Sequence, residues 1–156
     1  MTVKAIPEGY HSLTVYLGVI GAAEAIDFYR NAFGAIEESR LDGPGGKVGH
    51  AELRIGDTRL MISEPCADGP FSGLEPGSKP PFGLHLYVED VDARFQQAID
   101  AGAQVVNPVS NQFYGDRTGT LKDPFGNLWF VATHIEDLTS DEIRRRAHDM
   151  FGQPQA

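Results

Sequence analysis

Apolar and polar positions follow the same order twice along the chain: a short strand, an amphipathic helix, then further strands. Leu13-Thr14-Val15-Tyr16-Leu17 alternates and is rich in β-formers, as a half-buried strand requires. Ala22, Ile26, Tyr29 and Phe33 then recur at helical spacing, and Gly34 follows where a left-handed residue ends a helix. The second pass opens on Leu84-His85-Leu86-Tyr87-Val88. Asp90 is placed to cap a helix whose stripe is Val91, Phe95, Ala98 and Ile99, and Gly102 closes it. Each helix precedes a pair of strands: His50 to Ile55 with Arg59 to Ser63, and Thr118 to Lys122 with Leu128 to Thr133. Gly56-Asp57 turns the first pair and the run DPFGN turns the second.

Setting IGDTRLMIS against FGNLWFVAT aligns Gly56 with Gly126 and Leu60 with Phe130 without a gap. The separation of about seventy residues exceeds solenoid periods, so the pattern reads as a duplicated half-domain. The expected organisation is a single domain, with module one over about 10–66 and module two over about 83–135. A Gly-, Pro- and Ser-rich linker separates them over about 67–82. A C-terminal helix is expected over about 139–151, where Thr139 and Glu142 have capping-box spacing. Its stripe of Ile143, Ala147, Met150 and Phe151 is expected to pack on the domain or on a second chain.

Composition narrows the class. With 41% apolar and 22% charged residues, the 156-residue chain suits one globular domain. No apolar run approaches the ~18 residues of a membrane helix, so no membrane partner is expected. MTVKAIPEGYHS has no apolar core of a secretion signal. The single Cys66 forms no internal disulfide and fits a reducing cytoplasm; in SEPCADGP it reads as a loop thiol. A net charge of −9 opposes nucleic acid as partner. Arg144-Arg145-Arg146, flanked by Asp141, Glu142 and Asp149, reads as a solvated helix face.

The runs AAEAIDFYRNAFGA, VEDVDARFQQAIDAGA and GDRTGTLKDPFGNLWFVATH together resemble the glyoxalase/bleomycin-resistance/dioxygenase, or vicinal oxygen chelate, superfamily. The resemblance covers roughly residues 10 to 135 and is closest to the PhnB-like branch. It implies an α+β fold of tandem βαβββ modules, mixed sheets curling around a cleft, and a homodimer. In metal-using members, each module gives one ligand from its first strand and one from its last, mostly His and Glu. Carried over position by position, these become Thr14, Leu60, Gly83 and Phe130. None is a good ligand for a divalent ion, so no metal cofactor is expected from this set.

Facing supplies the candidate ligand contacts. Ala51, Leu53 and Ile55 belong under the helices, which sends His50 and Glu52 the other way. A two-residue shift of register brings His85 to the place of Gly83, so His50, Glu52 and His85 form the runner-up site for a divalent metal. The alternative is that they hydrogen-bond a ligand, water or each other. Tyr16 and Tyr87 share faces with Thr14 and His85, and either contact ligand or pack. Arg117 is suited to a carboxylate or phosphate group, or else to a structural pair with Asp116 or Glu89. His11 and His134 are expected to be exposed imidazoles, and Trp129 a core residue. The candidate ligand-binding set is therefore Tyr16, His50, Glu52, His85, Tyr87 and Arg117. The leading function is small-molecule binding without the usual metal site. The alternatives are a lyase, isomerase or dioxygenase-like enzyme using His50 and Glu52 for acid–base work, and a dimeric scaffold with an unused cleft.

Overall fold

The computed structural model describes residues 3–152. The chain forms β1 (Val15–Gly18), α1 (Ala22–Phe33), β2 (Ile36–Asp42), β3 (Val48–Ile55) and β4 (Thr58–Ser63). The same order then returns as β5 (Gly83–Tyr87), α2 (Val91–Ala101), β6 (Gln104–Asn111), β7 (Asp116–Lys122) and β8 (Leu128–His134). α3 (Ser140–Phe151) follows. The strands make two four-stranded sheets, ordered β1-β4-β3-β2 and β5-β8-β7-β6. In each, the first strand runs parallel to the last and the remaining pairs are antiparallel. This is the α+β arrangement of tandem βαβββ modules with a C-terminal helix.

Two strands are absent from the sequence pattern, β2 and β6. Both lie at sheet edges, almost wholly exposed, and both carry register irregularities. Their Glu, Asp, Asn and Pro residues are depleted in strands generally, and Pro108 is tolerated because β6 is an edge.

The two modules share one apolar core. α1 buries Ala22, Ala25, Ile26, Phe28, Tyr29, Ala32 and Phe33, and α2 adds Val91, Phe95 and Ala98. Phe33 of α1 stacks on Trp129 of β8 at 4.2 Å between ring centroids. Beside it the Asp123 carboxylate accepts hydrogen bonds from the Tyr29 hydroxyl at 2.8 Å and the Trp129 indole nitrogen at 2.9 Å. It also accepts from the backbone N–H groups of Phe125 and Asn127, both at 2.9 Å, which closes the β7–β8 turn. Burial, with the Asp123 carboxylate adding to it, holds the Tyr29 phenol well above its ordinary range. Module two's turn is thereby bolted to module one's helix.

The caps follow local chemistry. Asp90 accepts from the Ala93 N–H, and Thr139 accepts from the Glu142 N–H. α1 has no side chain of its own at the cap. The Glu64 carboxylate, at the end of β4, receives the Gly21 and Ala22 N–H groups instead. Gly34 ends α1 at φ 68°, where a β-carbon would be strained.

One alignment read from sequence is corrected. In β4 the core side holds Leu60 and Ile62, whereas in β8 it holds Trp129 and Val131. Leu53 pairs with Leu60 and Leu121 with Trp129, so module two takes one more residue around its turn. Leu60 therefore matches Trp129, and it is Met61 that matches Phe130. A gapless alignment anchored on the turn glycines cannot keep both strands facing correctly.

Candidate functional site

Each sheet has one face on the shared core and one face away from it, and five of the six candidate side chains divide between the two open faces. On module one, alternation along β3 places His50 and Glu52 away from buried Ala51, Leu53 and Ile55, as expected. Tyr16 lies beside them on β1, its hydroxyl 2.8 Å from His50 Nδ1. His50 Nε2 stands 3.7 Å from Glu52 Oε1, and the Ser39 hydroxyl donates to Glu52 Oε2 at 3.3 Å. A carboxylate beside Nε2 favours the proton there, which leaves Nδ1 to accept from Tyr16. The Tyr16 ring also meets Phe71 of the linker edge-on at 5.0 Å.

The same face is partly roofed by the segment before β1. Arg59, on β4, donates to the Gly9 carbonyl and to Glu38, and its guanidinium lies 5.0 Å from the centre of the Tyr10 ring. A cavity of about 410 Å³ lies under the segment, lined by Ile6, Tyr10, His11, Thr14, Glu52 and Met61 among others. The Tyr10 hydroxyl is buried and makes no hydrogen bond, alone in this among buried side-chain polar atoms of the described residues. Burial, together with the Glu52 carboxylate, pushes its phenol up to about 12. A buried donor without a partner marks a place where a ligand or water gains a hydrogen bond.

On module two, His85 and Tyr87 of β5 share the open face with Phe130 of β8. The His85 ring lies nearly parallel to Phe130, 6.4 Å between centroids, and 4.7 Å from the Tyr87 ring. The Tyr87 hydroxyl donates to Asp116 Oδ2 at 2.7 Å, and His134 Nδ1 lies 2.7 Å from Asp116 Oδ1. His134 Nε2 reaches Asp137 at 3.0 Å. Burial alone would raise the Asp116 carboxyl, but the bonds from His134 and Tyr87 outweigh it and hold it below its ordinary value. The same carboxylate raises Tyr87 and, with Asp137, raises His134. Asp116 and His134 were not read from sequence as a pair. The cue was their cross-strand register, which became available only with the β7–β8 pairing.

Arg117 stands elsewhere. It shares the helix side of β7 with buried Gly119 and Leu121, and its guanidinium donates to both oxygens of Asp92 in the first turn of α2, at 2.8 and 2.7 Å. A third bond goes to Asn111. The structural pairing is realised, with Asp92 rather than Asp116 or Glu89 as partner, and Arg117 is not beside the other five candidates.

The positions carried over for a metal offer no donor set. With the alignment corrected they are Thr14, Met61, Gly83 and Phe130, giving one neutral hydroxyl and one thioether. A β-carbon at position 83 would collide with the Phe130 ring, which already fills that space. Among the described residues no group of three or more His, Cys, Asp or Glu side chains is placed to hold a metal ion. His50, Glu52 and His85 are thus not gathered into one centre within the chain. No hydrogen bond or ring contact among the described residues joins Tyr16, His50 and Glu52 to His85 and Tyr87.

Comparison with known proteins bears on the fold and the family. The chain is 41% identical over 137 residues to the uncharacterised protein Rv0887c of Mycobacterium tuberculosis, covering 85% of this chain and 80% of that one. The fold is similar to TioX from Micromonospora sp. ML1, at 25% identity and a TM-score of 0.63, over 83% of this chain and all of that one. It is also similar to a PhnB protein from Bacillus cereus, at 22% identity and a TM-score of 0.60, over 79% of this chain and 99% of that one. The model of the glyoxalase/bleomycin resistance protein/dioxygenase superfamily matches residues 11–131. With most of its length matched in this way, the chain belongs to that superfamily.

Proposed function

We propose that this protein binds a small molecule on its open sheet faces without the metal centre of its metal-using relatives. The observation that carries this reading is the replacement of the metal positions by Thr14, Met61, Gly83 and Phe130, with an aromatic ring in place of a ligand. Polar and aromatic side chains suited to holding a ligand stand around them. Tyr16, His50 and Glu52 supply hydrogen bonds on module one, and His85 and Tyr87 supply an aromatic platform on module two. We further propose a cytoplasmic homodimer. Free, exposed Cys66 suits a reducing compartment, and exposed Met150 and Phe151 on α3 offer apolar surface to a second copy.

The test is a thermal-shift screen of small molecules, with metal analysis of protein purified without chelator. A ligand at a hundred times its dissociation constant adds about 2.7 kcal/mol, an easily read shift. His50→Ala and Tyr16→Phe are expected to weaken the best hit while leaving the unliganded midpoint nearly unchanged. Stoichiometric bound metal whose removal destabilises the fold would overturn the reading. So would hits indifferent to these two substitutions and to His85→Ala and Tyr87→Phe alike.

A further inference from the structure

On the open face of module one two arginines share one acid, and the other acid has no cation. Arg54 and Arg59 both pair with Glu38. Glu52, half-buried, has no Lys or Arg partner among the described residues, only His50 Nε2 at 3.7 Å and the Ser39 hydroxyl. Its carboxylate lines the cavity under the segment before β1, together with Met61, Thr14 and Tyr10. A carboxylate withdrawn from water and left without a cation draws positive charge. What the chain itself sets against this spot is Tyr10. The Tyr10 ring lies over the Arg59 guanidinium, and the backbone beside it is clamped through the Gly9 carbonyl. The hydroxyl is buried close enough to Glu52 to be raised by it, yet forms no bond. A phenol has one O–H to give, in one direction. The seat therefore accepts an aromatic ring, but the group at the ring's far end does not suit it.

We propose that residues 5–14 hold the place of an arylalkylammonium ligand, whose ring takes the seat of the Tyr10 ring on Arg59 and whose ammonium group meets Glu52. This rests on the binding reading above and names the ligand class of its module-one site. An ammonium carries three N–H donors that fan out, so it satisfies Glu52 without the single direction a phenol needs. Arg59 selects a ring rather than an anion, because Glu38 already occupies its Nε and one terminal nitrogen. The segment yields because its own fit is imperfect. A buried donor stays unpaired within it, and a cavity of about 410 Å³ stays unfilled beneath it.

Benzylamine titrated into the full chain, followed by amide NMR, tests this. Saturation is expected to move the signals of residues 5–14 to unstructured positions. Glu52→Gln should weaken binding about tenfold or more, the worth of a charge-assisted hydrogen bond. Benzyl alcohol, with the same ring and no charge, should bind correspondingly less. The two variants at Tyr10 should act in opposite directions. Tyr10→Phe removes the unpaired buried hydroxyl, seats the segment better and should weaken benzylamine. Tyr10→Ala takes the ring off Arg59 and should tighten benzylamine several-fold. Both Tyr10 variants shifting affinity the same way would overturn the proposal, as would benzylamine binding with the segment's signals in place. Affinity indifferent to Glu52→Gln would also sink it. If benzylamine fails to bind while screening hits still depend on Tyr16 and His50, this ligand class falls alone and the binding reading stands.

Discussion

Asp123 shows how much of this fold rests on one side chain. Its carboxylate accepts the buried donors of Tyr29 and Trp129, which come from different modules. Asp123→Ala strands both, and each orphaned buried donor costs about 1–3 kcal/mol, so a loss of about 2–6 kcal/mol is expected in urea unfolding. Tyr29→Phe removes the bond to Asp123 and the one that Asn127 Nδ2 donates at 3.3 Å, and should cost about 1–2 kcal/mol, since three donors to Asp123 remain. A larger cost for Tyr29→Phe than for Asp123→Ala would contradict this account of the bolt. Sequence pattern placed Tyr29 and Trp129 in the core but gave no hint that they share a carboxylate, because that contact joins residues some ninety positions apart. The facing of Arg117 was legible, though its partner Asp92 was not. Leu121 faces the helices, and stepping back by twos from Leu121 puts Gly119 and Arg117 on that same side. His50 and Glu52 came out on the open face because three apolar neighbours on β3 fixed the parity beyond doubt.

At the level of elements, legibility followed burial. The helices α1 and α2 and the central strands carry apolar periodicity because each packs on the core, whereas β2 and β6 lie exposed at the sheet edges, with Val109 of β6 against the core, and carry none. The one-residue error in aligning β4 with β8 has the same origin, since turns differ in length without any apolar signature. α3 is the opposite case, a helix with a clear stripe that buries no residue. It is tied down by the Arg146 pair to Glu136, at 2.8 Å for both bonds, and by an edge contact between Phe113 and Phe151. Such exposed ion pairs are worth little, so the stripe matters more for what it leaves open than for what it holds. Phe151→Glu is expected to leave the unfolding midpoint of the monomer nearly unchanged while driving the proposed dimer toward monomer in sedimentation velocity. An unchanged sedimentation coefficient would place the dimer contact away from α3.

For the molecule as a whole, the two open faces differ in access. On module two Tyr87 and Phe130 stand exposed, whereas the face on module one lies beneath the segment held by Arg59 at Gly9 and Tyr10. Gly9 sits at φ 80° with the Arg59 guanidinium pressed where a β-carbon would go, so Gly9→Val should lift the segment without altering the sheet below it. That substitution is expected to tighten ligands of module one and leave those of module two alone, in paired titrations of a hit for each face. The physical content is competition within one chain. A ligand of the site proposed on module one is expected to compete with residues 5–14, a tethered segment at an effective concentration on the order of millimolar, which dilution of the protein cannot lower. A ligand measured against the intact chain therefore reports its intrinsic affinity multiplied by the fraction of molecules in which the segment stands open.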